Sequence, residues 1–564
     1  VPPFASKSLI NPVILVVVFL ISLLFGLYGS SWGYPYDFHS DESSYLTRVA
    51  PNPDIPFWTN YGRWPVYLLR SVAFLAGREA NFVFARQLSA FIVALGVAAT
   101  ALTTLQIIGR RGMMMTAALL MGAPLIVQSA HFFTTDVLLM AGTAVGICFS
   151  LRIMARGRWR DSLILAVAWG IAIGSKPTGV LLLPAVVLAH ALSHPQHRWR
   201  RLVVTFLITS SLALVGQPTL FRYGWQAYLY QGAFLSNIKV AAGIFRPPYT
   251  LHFADTAAWT YYLTHLFPWG GGPFLTLAGY TGFLAGAARI IRHCRNWRTD
   301  AITGQIALVA LVFLTFYLFS ASQHDKFIRY VLVLLPPIGI LAGWLLANLI
   351  NRVNTSRVWP FLVFTVILSV VPGLLYVRIY SRPDTRLQAA VWIMQHAPGN
   401  ATICHEPDLG FAVPPIGMGG PAYLETATRN YQGVPLNWGL LYWASDYPRR
   451  YHQGVLPDTP ATLRTQGAQA HQIAAWIAAC DWIILSDRFA DQYLPLPDDF
   501  PAISSFYRSL LSGQNREFRH ATTIQSLPGI GQFVVNDRNS ELTFRSFDHP
   551  TFWIFQRDRA LGAN

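Results

Sequence analysis

Four short stretches hold the residues whose types and spacing could do chemistry. In HSDESSYLTR (39–48), Asp41 and Glu42 are adjacent carboxylates. On a helix starting near Ser40, Asp41, Tyr45 and Arg48 recur at i, i+4 and i+7 and share one face. In HFFTTD (131–136), His131 leads to Asp136, and in GSKPTG (174–179), Lys176 sits in a turn with Pro and Gly. In SQHDKFIRYVLVLLPP (322–337), Lys326, Arg329 and Tyr330 stand where an apolar run begins. Such a set suits one reaction class: Lys and Arg meet a lipid-phosphate leaving group, and an Asp deprotonates the nucleophile. A carboxylate base bonded to a hydroxyl directs in-line displacement at a sugar carbon, and the cations take the place of a metal at the departing phosphate. Each residue also has a plainer role. Ser40, Asp41 and Asp136 suit helix N-caps, where acid meets the positive end of the helix dipole. Lys326 and Arg329 suit snorkelling at a membrane interface.

The elements that must position these residues are membrane helices. The chain has 564 residues, 53% hydrophobic and only 12% charged, against about 25% charged in a soluble domain. That excludes disorder, a coiled coil and a purely soluble enzyme, and four cysteines cannot make a disulfide framework. Eleven apolar runs are candidate spans: 12–28, 86–108, 113–130, 136–153, 163–174, 180–192, 202–217, 273–288, 302–320, 330–350 and 358–376. The pair 163–174 and 180–192 is short for the purpose. The first run has no small-residue cleavage site after it and reads as a retained helix.

The 42 basic and 26 acidic residues leave a net charge of +16. Alternate connections hold Arg110 and Arg111; Arg152, Arg156, Arg158 and Arg160; Arg198, Arg200 and Arg201; Arg289, Arg292, Arg295 and Arg298; Arg352 and Arg357. The opposite short connections hold only Lys176, Lys326 and Arg329. The positive-inside rule then puts the N-terminus and the arginine clusters in the cytoplasm, and all four chemical stretches outside. The expectation is a mostly α, polytopic protein of the cell membrane: a transmembrane domain, 1–378, with outer loops 29–85 and 218–272. A soluble extracytoplasmic α/β domain, 379–564, would follow. There, 387–396 and 468–479 have helical spacing, and 401–404, 482–485 and 552–555 read as strands. Cys404 and Cys480 fall in that domain, each beside a strand, so a bridge forms if the strands are neighbours. The aromatic and glycine-rich stretch 259–273 fits an interfacial belt or a sugar-contacting wall.

The order of these elements resembles the GT-C fold glycosyltransferases, in particular the group related to protein O-mannosyltransferases and the lipid A aminoarabinose transferase. The resemblance rests on Asp41-Glu42 after the first helix, Asp136 opening the fourth, and Lys176 in SKPTGVLLLP. It rests also on Arg329-Tyr330 running to Pro336. CDWIILSDR (480–488) and RSFDHPTFWIFQR (545–557) are similar to closing strands of such enzymes. The resemblance implies an inverting transferase that uses a polyprenyl-phosphate-linked sugar. Asp41 would be the general base, Glu42 its partner and Asp136 a second carboxylate. Lys176 would meet the donor phosphate, assisted by Arg48 or Arg329, with Tyr45, Tyr330 and His131 lining the cavity. In the aminoarabinose transferase, Arg-Tyr stands two and three residues after the Glu; here it is Ser44-Tyr45. The acceptor is a glycan, lipid or protein, and no nucleic acid partner is implied.

Asp41, Asp136 and His39 or His131 offer oxygen and nitrogen to a divalent cation, but no ligand pair has diagnostic spacing, so no metal is expected to be required. A transporter is the first alternative, although transporters favour repeat symmetry and ionisable residues near the bilayer midplane. A non-catalytic subunit of a membrane assembly that keeps the transferase fold is the second.

Overall fold

A computed structural model describes residues 10–33, 38–46, 49, 62–194, 196–218, 220, 224, 234–294, 300–352, 355–406, 452–455 and 466–558. The chain divides into two compact units: 1–30, 56–242 and 257–377 form the first; 31–55, 243–256 and 378–564 form the second.

In chain order the principal helices are α1 (Ile10–Leu27), α2 (Ser40–Leu46), α3 (Trp64–Leu75), α4 (Phe82–Ile108), α5 (Arg110–Met121), α6 (Pro124–Ala130), α7 (Thr135–Arg156) and α8 (Trp159–Ser175). They continue with α9 (Leu183–Leu192), α10 (Arg198–Val215), α11 (Pro273–Arg292), α12 (Ala301–Ala321), α13 (Leu335–Arg352), α14 (Thr355–Val377) and α15 (Thr385–His396). All but α2 and α15 belong to the first unit. Among the described residues, seven helices are long and apolar enough to cross a membrane, or eight if the bent pair α5 and α6 is one span. The runs expected at 163–174, 180–192 and 202–217 are helical, as α8, α9 and α10, but stand outside that set.

The run expected to be one straight span over 113–130 is broken, with α5 and α6 meeting at 67°. Pro124 is the cause. It donates no backbone hydrogen bond, and it drives Ala123 into an extended conformation (φ −73°, ψ 119°). Helix α3 was not foreseen in the outer loop; Pro65 starts it, and its Trp64 indole donates to the Leu212 carbonyl at 2.8 Å.

Helices α7 and α8 run antiparallel, so their ends sort the charges. Arg152 and Arg156 lie near the turn where α8 begins, and Asp136 and Lys176 lie at the other end. The 17 residues of α8 separate the two ends by about 25 Å.

The second unit holds a five-stranded mixed sheet of β1 (Thr402–His405), β2 (His452–Val455), β3 (Trp482–Ser486), β4 (Phe518–Ile524) and the last strand, Phe552–Arg557. Its order is β2, β1, β3, the last strand, β4. Strand β1 runs parallel to β2 and β3, and the last strand is antiparallel to β3 and β4. Helix α15 lays Ala389, Ala390 and Ile393 on Ile403, Trp482, Ile484 and Ile554. Every residue of β3 is buried, as its unbroken apolar run requires of a central strand covered on both faces. The condition for a bridge is met: β1 and β3 are neighbours, and Cys404 and Cys480 are joined with their Cα atoms 5.6 Å apart.

Candidate active site

Lys176 owes its position to glycine packing and to a proline. Gly62, Gly174 and Gly216 bring three chain segments into backbone contact. The Gly62 amide donates to the Ser175 carbonyl at 2.8 Å, and the Arg63 amide to the Gly216 carbonyl at 2.7 Å. A Cβ on Gly62 would lie 1.4 Å from the Gly174 oxygen, so no larger residue fits. Helix α8 ends against this knot. Pro177 holds Lys176 extended (φ −142°, ψ 119°). The Trp169 indole then closes the turn by donating to the Gly179 carbonyl at 2.8 Å.

From there the Lys176 ammonium reaches Asp136 in the first turn of α7, with Nζ 2.6 Å from Oδ1. The two side chains are 9% and 7% exposed, so the pair is buried. The same ammonium stands 4.8 Å from the centre of the Tyr330 ring, a cation–π distance. The Tyr330 hydroxyl donates to Asp325 Oδ2 at 2.9 Å. The Arg329 guanidinium lies 5.0 Å from the Phe327 ring and 5.9 Å from the Tyr330 ring. Burial lowers the Lys326 pKa against the pull of Asp325, and its ammonium donates to the His324 carbonyl at 2.9 Å.

The first unit therefore brings together Asp136, Lys176, Tyr330 and Arg329. His131 is buried in the same unit. Its ring nitrogens lie 2.8 Å from the Val127 carbonyl and 2.7 Å from the Tyr28 carbonyl, so it ties the chain beyond α1 to α6. In the stretch 259–273, Tyr262 and Phe267 are buried while Trp259 is exposed.

Asp41, Glu42 and Tyr45 lie on α2, which belongs to the second unit. His39 caps that helix, its Nδ1 accepting from the Asp41 amide at 3.2 Å, a role expected of Ser40 or Asp41. Glu42 and Tyr45 are buried and Asp41 is partly exposed. The segment leading into α2 is anchored within its unit. The Arg386 guanidinium lies 4.6 Å from the Phe38 ring, and the His39 ring is 4.3 Å from that of Phe547. Arg48 lies outside the described residues.

Sequence reasoning passed over several buried ionisable groups. Asp325 is one, although it stands in the quoted stretch 322–337. In the second unit, Glu406 accepts from the Ser486 amide and hydroxyl at 2.7 Å each and from the Tyr507 hydroxyl at 2.8 Å. Burial still pushes it up to about 8. His549 is clamped by Asp537 at 2.6 Å and Asp548 at 2.5 Å. Burial alone would lower its pKa, but the two carboxylates carry it up to about 10. Asp548 neighbours His549 in the quoted stretch 545–557, but only folding brings Asp537 to the same ring. Among the described residues, no three His, Cys, Asp or Glu side chains gather as a metal site.

Three solved structures are similar over most of the chain. ArnT from Cupriavidus metallidurans bound to undecaprenyl phosphate is 14% identical, with 96% of this chain and 97% of that one covered and a TM-score of 0.48. The Archaeoglobus fulgidus oligosaccharyltransferase in complex with zinc and sulfate is 11% identical, with 94% and 74% covered and a TM-score of 0.48. The arabinofuranosyltransferase AftD from Mycobacteria is 15% identical, with 96% and 41% covered and a TM-score of 0.43. No curated protein matches the sequence. Residues 64–220, the segment that carries both Asp136 and Lys176, match the family model of the dolichyl-phosphate-mannose-protein mannosyltransferases, a member of the group that the order of motifs resembles.

Proposed function

We propose that the chain is an integral membrane glycosyltransferase that moves a sugar from a polyprenyl-phosphate-linked donor to an acceptor on the extracytoplasmic side. The observation that carries this reading is the buried Lys176–Asp136 pair against Tyr330, inside the segment that matches the mannosyltransferase family. A lysine buried at a helix end needs a partner with negative charge. Asp136 is that partner here, and a donor phosphate also offers anionic oxygen to an ammonium. A phosphate on Lys176 would share the ammonium with Asp136.

In the reaction, Asp41 takes the proton of an acceptor hydroxyl, and the freed oxygen pair attacks the anomeric carbon. The bond from that carbon to the phosphate oxygen breaks, and the lipid phosphate leaves with its electron pair towards Lys176, with Arg48 or Arg329 assisting. A single in-line displacement inverts the anomeric centre. Glu42 supports the α2 turn beside the base. Asp41 takes this role from its place after the first span, as the resemblance implies. The Asp41→Asn variant keeps the side-chain shape and removes the base. It should fold, insert and lose sugar transfer; transfer at the wild-type rate from purified Asp41→Asn protein would end this reading.

The arginine-bearing end of the first unit then faces the cytoplasm, and 379–564 stands outside. The Cys404–Cys480 bridge supports that placement, since disulfides persist in oxidising compartments.

A further inference from the structure

The connection from α12 to the turn Ile328–Leu334 carries a buried carboxylate that the proposed reaction does not use. Asp325 is only 7% exposed. Its Oδ2 accepts from the Tyr330 hydroxyl. Its Oδ1 is buried and accepts no hydrogen bond from any described residue. A buried acceptor left without a donor is costly, and folded proteins keep few of them. Lys326, the adjacent cation, is spent on the His324 carbonyl.

Tyr330 ties this oxygen to the rest of the site. One face of its ring receives the Lys176 ammonium, and its hydroxyl end is fixed on Asp325. Lys176 therefore stands over the ring of this tyrosine side chain and Asp325 at its hydroxyl. A monosaccharide is about as long as that side chain, and an aromatic ring is a common platform for the apolar face of a sugar. With a phosphate on Lys176, a sugar joined to it would lie along Tyr330 with a hydroxyl at Asp325.

We propose that Asp325 is the sugar-recognising residue of the donor site, its buried Oδ1 accepting a hydrogen bond from a hydroxyl of the sugar carried by the lipid phosphate. This rests on the reading that Lys176 meets the donor phosphate. The ligand class is a polyprenyl phosphate bearing a monosaccharide, and the bare lipid phosphate lacks the group that Asp325 reads.

The test titrates the full-length protein in detergent with two probes, undecaprenyl phosphate and undecaprenyl phosphate carrying mannose. The wild-type protein should bind the mannosylated lipid more tightly. Asp325→Asn should weaken that binding about tenfold, as expected for loss of a hydrogen bond to a charged group, and leave the bare lipid unchanged. Asp325→Glu, which keeps the charge but moves the oxygens by one methylene, should show the same selective loss and serves if the Asn variant does not fold. Equal losses for both lipids, no loss for either, or no preference for the mannosylated lipid in the wild type would each overturn the proposal. Lys176→Met made together with Asp136→Asn, which leaves no buried charge unpaired, separates the two readings. It should weaken both lipids alike; if it weakens neither, the phosphate reading fails on its own, whereas if it weakens both and Asp325→Asn changes nothing, only the role of Asp325 fails.

Discussion

The Lys176–Asp136 pair offers a way to separate a structural ion pair from a phosphate-binding one. Both side chains are buried and 2.6 Å apart. Truncating Lys176 to Ala leaves Asp136 buried without its cation, at a cost of about 3–5 kcal/mol. Loss of transfer in that variant would therefore prove little, because the protein would also be destabilised. The informative variant changes both partners, Lys176→Met with Asp136→Asn. It keeps the volume, removes both charges, and should restore most of the lost stability, since replacing a whole buried pair by neutral groups is often close to neutral. Thermal unfolding in detergent reads the stability, and titration with undecaprenyl phosphate reads the function. If Lys176 only braces α8 against α7, the double variant recovers lipid binding along with stability. If Lys176 meets the phosphate, stability returns and binding does not. Recovery of wild-type affinity for undecaprenyl phosphate in the stable double variant would refute the role proposed for Lys176.

Two further expectations concern the second unit. Glu406 has its carboxyl pushed from an ordinary 4.5 up to about 8 by burial. The folded state then holds a proton that the unfolded chain loses, so this group's contribution favours folding most below pH 4.5 and declines as pH rises to 8, by on the order of 3 kcal/mol at pH 7. Hydrogen exchange at the Ser486 amide, which donates to Glu406, should report that decline after correction for intrinsic rates, and Glu406→Gln should flatten it; an unchanged slope would contradict the assignment. The bridge Cys404–Cys480 closes a loop across a separation of 76 residues, so its removal by Cys404→Ser should cost about 4.5 kcal/mol on the chain-entropy account. In the purified protein these two buried cysteines should react with a maleimide only after reduction in denaturant. In intact cells Cys294, exposed beyond the end of α11, should react with an impermeant maleimide only after permeabilisation. Labelling of Cys294 from outside would reverse the orientation.

Much of the secondary structure was legible because its causes are local. The apolar strand 482–485 and the helix 387–396 both appear within a residue or two of their expected bounds. Pro124 was visible too, but composition over 113–130 carried more weight than one residue, and the bend between α5 and α6 was missed. The candidate site was legible only as separate pieces. Lys176 and Asp136 each stood out for being ionisable at the edge of a membrane helix, which is costly and therefore informative. Asp325 did not, because an acid beside Lys326 and Arg329 reads as ordinary surface charge until its burial is known.

Taken alone, the sequence determined that the chain carries several helices apolar enough to cross a membrane, where its arginines gather, and which late apolar runs form strands. Hydropathy, charge bias and period act over neighbouring residues, so they need no fold to be read. Only the tertiary structure decided that Lys176 is held by Asp136, that Tyr330 lies against that ammonium with Asp325 on its hydroxyl, and that Asp41 and Glu42 ride on a helix anchored beside Phe38 and Arg386. Apart from the local Tyr330–Asp325 link, these contacts join residues tens to hundreds of positions apart. Close packing of helices through glycines such as Gly62 and Gly174 sets which of them meet, and no local pattern encodes that choice.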